Sequence, residues 1–266
     1  PQTKSQSDYF LNMPKIKAKT PSEQQFIFVP YITQQQDFVN NNATTDVGFD
    51  LAYKPSHHQK VSLAVNPDFG QVDLDNIDIN YSSVETLVTD KRPFFTQDIS
   101  VFNVQAEQDT RLIHTRRIGA SSDDGSEVVT PIDAALRFVH QGENIQLGAF
   151  AVHENNLDSD AGKEFTAARM KYRTDTWQSG LLATYVKRPW LDRKAQTLAW
   201  DSQYQSQTWS FQGSLLTSDV QAASLKKQGY GFSGNAKYQI NPNIDISTSY
   251  LRLDNYFVLN NLNRSY

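Results

Sequence analysis

Residues 229–240 read GYGFSGNAKYQI. Tyr230, Phe232, Ala236, Tyr238 and Ile240 share one parity, and Ser233, Asn235, Lys237 and Gln239 share the other. Successive side chains of an extended strand point to opposite faces, so this stretch predicts a ribbon with an aromatic, apolar side and a hydrated side. The same two-residue period recurs in pairs from about residue 130 to 256. ALRFV (135–139) turns through HQGEN into IQLGAFAV, and FTAARMKY (165–172) turns through RTDT into WQSGLLATYV. TLAWDSQY (197–204) turns through QSQT into WSFQGSLL, and GFSGNAKYQI turns through NPN into IDISTSYLRL. Four hairpins in series predict an all-β, antiparallel up-and-down meander. With one greasy and one wet face, such a meander either covers a separate core or forms a transmembrane β-barrel whose outside meets lipid. Strands of about 9–11 residues favour the membrane-crossing form.

Upstream, FIFVPYI (26–32) predicts a short strand with Pro30 at an edge or bend, and QQQDFVNNNATT (34–45) reads as a polar loop. DVGFDLAYK (46–54) alternates and turns through PSHHQK into VSLAV, a first hairpin. Residues 1–24 are polar and Lys-bearing, with Pro14 and Pro21 as breakers, and read as a linker from an upstream module. No signal peptide is visible in PQTKSQSDYF, and LNNLNRSY ends in Tyr266 without alternation, so residues 25–266 are expected to be a barrel segment with more barrel beyond them. HENNLDSDAGKE, KRPWLDRKAQ and TSDVQAASLKKQG are expected as longer loops at one rim, opposite short turns at the other. Aromatics including Trp177, Trp190, Trp200, Tyr204, Trp209 and Tyr238 are expected near strand ends, where an amphipathic ring suits the headgroup level.

A hydrophobic fraction of 38% in 266 residues fits a polar soluble protein and a transmembrane barrel equally, because a barrel gives only alternate positions to lipid. No apolar run approaches the roughly 20 residues of a membrane helix, so any crossing is made by strands. A net charge of -4 provides no basic footprint, which excludes nucleic acid as a partner. The absence of Cys removes disulfides, thiolate metal sites and Cys nucleophiles. His57 and His58 are adjacent, point opposite ways on a strand and chelate poorly, so they read as turn residues. His114, His140 and His153 are scattered, and no Gly-rich phosphate loop occurs. The pattern yields no catalytic residue, cofactor or metal site.

From residue 66 to 119 the alternation breaks down. A short helix around 83–87, an inward loop, and strands bending over the sheet end all fit this stretch. Asp68, Asp73, Asp75 and Asp78 stand against Lys91, Arg92, Arg116 and Arg117. In a polar lumen these charges would fasten an inward segment to the wall through Arg–carboxylate pairs, or line a constriction that selects a polar solute. A calcium site on the acids would lack the Asp-x-Asp-x-Asp-Gly spacing. Pro93 fixes a turn that Phe94 and Phe95 anchor in apolar surroundings.

This block contains VNPDFGQVDLD (65–75), KRPFF (91–95) and TRRIG (115–119). In order and spacing the three pieces resemble a bacterial family of uncharacterised outer-membrane β-barrel proteins, commonly preceded by a family-nine-like carbohydrate-binding module. The resemblance runs from about Phe26 to the end. It departs at Val88, Thr89 and Asp90, where the family usually shows Phe-Pro-Glu. It implies a barrel in the outer membrane of a Gram-negative bacterium, with the bilayer as partner and block 66–119 at the lumen or rim. The implied role is that of conduit, anchor or surface receptor, with carbohydrate or a small polar solute as ligand. The rival expectations are an outer-membrane hydrolase acting on lipid or polysaccharide, and a soluble glycan-binding β-sandwich. The family brings no established catalytic residues.

Overall fold

A computed structural model describes residues 24–37, 42–67, 90–104, 112–120, 122–123, 129–156, 162–223, 225–255 and 257. Eleven strands dominate it: β1 (Gln25–Asp37), β2 (Asn42–Ser56), β3 (Gln59–Val65), β4 (Ile132–Gln141), β5 (Ile145–Glu154) and β6 (Glu164–Arg173), then β7 (Trp177–Arg188), β8 (Arg193–Gln205), β9 (Trp209–Ala222), β10 (Leu225–Asn241) and β11 (Ile244–Leu253). They form one sheet in sequence order, and every neighbouring pair is antiparallel. This is the expected meander. β1 and β11 are its edges and do not pair with each other, so the described sheet is open and not closed into a barrel. Among the described residues, no helix is long and apolar enough to cross a membrane.

Alternation sorts the side chains between two faces. Met170, Leu181, Trp200, Leu215 and Phe232 stand side by side across β6 to β10 on the outer face. They remain open to the surroundings, Met170 at 52% and Leu181 at 50%. Three residues along, Ala167, Thr184, Thr197 and Ser218 form a buried row on the inner face. The outer face is therefore a continuous apolar surface, and the inner face carries buried small, polar and charged groups together with the large apolar groups that meet the block.

Three local expectations need correction. Most of the polar stretch 34–45 is strand, because the β1–β2 ladder continues to Asp37 and Asn42, and backbone hydrogen bonds do not require apolar side chains. The loops predicted within 187–196 and 217–229 shrink, since β7 runs on to Arg188, β8 starts at Arg193, β9 runs on to Ala222 and β10 starts at Leu225, past their apolar bands into charged ends. Trp200 sits mid-strand in β8 between Leu181 and Leu215, whereas Trp177, Tyr204, Trp209 and Tyr238 do gather where the short turns lie.

The inner face of β3 to β7 is covered by part of block 66–119. Its elements are helix α1 (Pro93–Thr96) and two 3-10 turns, Ile99–Phe102 and Thr115–Arg117. Phe95, Val101, Phe102, Leu112 and Ile118 make one core with Ala135, Val139, Phe150, Phe165 and Leu182 of the wall. Each large side chain so buried contributes about 1.5–3 kcal/mol. The fit is close at Gly148, where a Cβ would fall 2.7 Å from the Phe102 ring, and Phe102 meets Phe150 edge-on at 5.4 Å. The helix suggested around 83–87 lies outside the described residues, as does the linker over residues 1–23.

Candidate functional site

The KRPFF and TRRIG pieces, far apart in sequence, are joined by one guanidinium. Arg92 has the extended backbone that a following proline imposes, and Pro93 takes the first position of α1, where its missing N–H costs no helical bond. The Arg92 side chain turns towards Asp90, donating from Nε to Oδ1 at 2.9 Å and from Nη2 to Oδ2 at 2.7 Å. It also donates from Nη1 to the Ile118 carbonyl at 2.7 Å and from Nη2 to the Thr115 carbonyl at 2.8 Å. Thr115 completes the ring by donating its hydroxyl to Asp90 at 2.7 Å. Burial raises the Asp90 carboxyl, but the hydrogen bonds and charge of Arg92, with the Thr115 hydroxyl, outweigh it and hold the group below its ordinary value of 3.8.

Two contacts fasten this ring to the wall. Gly119, at φ +71, turns the chain so that its N–H donates to the Glu154 carboxylate of β5 at 2.7 Å. At the other end of α1, the buried Arg137 of β4 donates to the carbonyls of Phe94 and Gln97, satisfying groups that a helix end leaves without intrahelical partners. The same guanidinium lies 5.2 Å from the Phe94 ring, and that of Arg92 lies 4.3 Å from the Phe95 ring.

Further buried charges surround the block. Glu154 neighbours Lys163 at 3.5 Å, Lys163 neighbours Asp123 at 3.8 Å, and Asp123 accepts from Arg188 Nε at 2.7 Å. Deeper on the inner face, Arg169 pairs with Asp201 at 2.6 Å, with both side chains almost fully enclosed. Breaking such a pair from one side leaves an uncompensated charge, so these contacts hold the arrangement in place.

Of the predicted charges, Arg92 is the centre of the block, but its partner is Asp90, which sequence reasoning passed over. Lys91 is exposed, and Arg116 and Arg117 are half-buried in their 3-10 turn. Asp68, Asp73, Asp75 and Asp78 lie outside the described residues. Phe95 is buried as an anchor, Phe94 packs against the core edge, and Pro93 is exposed at the turn. His57 and His58 form the turn between β2 and β3. Glu154, Arg137, Arg169 and Asp201 were missed, although their signal was available: each is a charge at inward parity within an alternating strand.

A family model described as a domain of unknown function (DUF5916) matches residues 24–148, from the start of β1 into β5, and so takes in the whole block. No curated protein matches the chain. The match agrees with an uncharacterised family.

Proposed function

We propose that this chain forms the wall and inner segment of an outer-membrane β-barrel serving as a conduit, anchor or surface receptor. One observation carries the reading: the outer face is a continuous exposed apolar surface, while charged and hydroxyl side chains are buried on the inner face beside the core under the block. Leu181, Leu198 and Leu215 are half-exposed on the outer face, while Arg137, Arg169, Asp201 and Ser214 are buried on the inner one. Water as the outer solvent would penalise that arrangement, and hydrocarbon would favour it. The 12-residue β7, at about 3.3 Å per residue and the roughly 40° tilt of membrane barrels, rises about 30 Å, the thickness of a bilayer core.

The short-turn rim supports the same reading. Trp177 faces Tyr204 across β7 and β8, and the Trp209 and Tyr238 rings stand 4.5 Å apart across β9 and β10. Such rings suit an aromatic girdle at the headgroups. The inner face of β3 to β7 is covered by the block, with no second sheet among the described residues, which favours this reading over a glycan-binding sandwich. β1 and β11 run in the same direction, so closure through antiparallel pairs takes an odd number of further strands.

In this reading lipid solvates the outer face, and the block, held by Arg92 and Arg137, limits what passes along the polar interior. Fractionation of the full-length protein followed by planar-bilayer conductance is the test. Outer-membrane recovery, with a larger conductance after deletion of residues 90–119, is expected. Recovery as a detergent-independent soluble protein would overturn the proposal.

A further inference from the structure

We infer that the cleft on the inner face at the β2–β3 turn is a binding site for the phosphate or carboxylate group of a small polar solute. The cleft holds about 770 Å³, the size of a small-molecule site, and lies between the wall of β2 to β4 and the Gln97–Asp98 corner of the block.

Register sets its charge. Lys60 pairs with the inward, buried Val139 of β4 and so faces inward, and Lys54, beside the β2 irregularity between Tyr53 and Ser56, lines the same cleft. Lys60 donates to the side-chain oxygen of Gln97 at 2.5 Å, and this neutral amide orients the ammonium without cancelling its charge. Around Lys60, Lys54 and Arg137 repel and Asp98 attracts. Arg137 is already committed to the carbonyls of Phe94 and Gln97. Two ammonium groups thus share the cleft with one carboxylate, and Asp98, held at φ +57, accepts from Gln141 at 3.2 Å.

The turn adds hydrogen-bonding groups at the mouth. His58 Nδ1 lies 2.9 Å from the Gln141 carbonyl, which can only accept, so Nδ1 carries the proton and Nε2 is the ring's second polar atom. His57 lines the same opening. A cationic, hydrogen-bonding recess of this kind favours an oxyanion over a neutral sugar. The inference rests on the inner face being the wetted one, as in the lumen reading.

Calorimetric titration of the full-length protein in detergent, with inorganic phosphate, glucuronate and glucose as separate probes, tests it. Binding of phosphate, glucuronate or both, without glucose, is expected. Lys60→Gln and Lys54→Gln should each weaken that binding about tenfold, the loss of one charge-assisted hydrogen bond. Asp98→Asn should tighten it, and Lys226→Gln on β10 should leave it unchanged. Failure of both anions to bind the wild-type protein, or unaltered affinity in folded Lys60→Gln protein, would overturn the site. Anion binding that depends on Lys60 in a protein recovered as soluble would sink the membrane reading and leave the site standing.

Discussion

The guanidinium of Arg169 on β6 lies against the bare backbone of Gly180 on β7, where a Cβ would fall 2.7 Å from Nη2. That gap lets the side chain cross a strand to reach Asp201 on β8. Gly180→Val should therefore push the charge away from its partner. The expected loss is on the order of 3 kcal/mol, as for a buried pair broken from one side. A lower urea midpoint of unfolding in detergent checks this, and an unchanged midpoint would remove the role assigned to Gly180.

Arg92 closes the ring that joins the two motif pieces, so Arg92→Ala should free the 115–119 segment from α1. Arg92→Lys should rescue little, because an ammonium lacks the planar fork that serves Asp90 and two carbonyls together. Limited proteolysis with mass mapping is the check. New cuts between residues 90 and 120 are expected in both variants, and wild-type resistance in either would count against the ring.

Acid should loosen the same ring. The Asp90 carboxyl is held below its ordinary value of 3.8, so its contribution is fully present above that pH and is lost as pH falls through the lower folded value. Amide exchange at residues 115–119 should stay slow at neutral pH and quicken in excess of the intrinsic rate only below about pH 3.8. Asp90→Asn should abolish that acid response. An onset well above the ordinary carboxylate range would point to a different group.

The hairpins were legible because alternation and turn residues are local signals, as 229–240 shows. The β1–β2 extension through Gln34 and Gln36 was not, since a ladder is made by backbone and its polar side chains resemble a loop. The inner site was half legible. KRPFF and TRRIG marked the right block, but the Arg92 contact to Ile118 and the Gly119 contact to Glu154 bridge residues distant in sequence. Arg137 and Arg169 looked like ordinary strand charges until parity placed them inside.

A cation on the outer face should be costly. Leu181→Arg replaces a half-exposed side chain, a change worth about ±0.5 kcal/mol on a water-facing surface and about 2–4 kcal/mol at a bilayer midplane. Loss of membrane assembly, read from heat-resistant migration on gels, is expected for Leu181→Arg and for Phe232→Asp. Normal assembly of both would contradict a lipid-facing row.

Depth-dependent fluorescence quenching by brominated lipids tests the central claim most directly. In vesicles, a variant of the full-length protein keeping Trp200 as its single tryptophan should be quenched most by bromines near the bilayer centre, and one keeping Trp177 by bromines near the headgroups. Trp200 emission unaffected by bromines at any depth would contradict a hydrocarbon environment for the outer face.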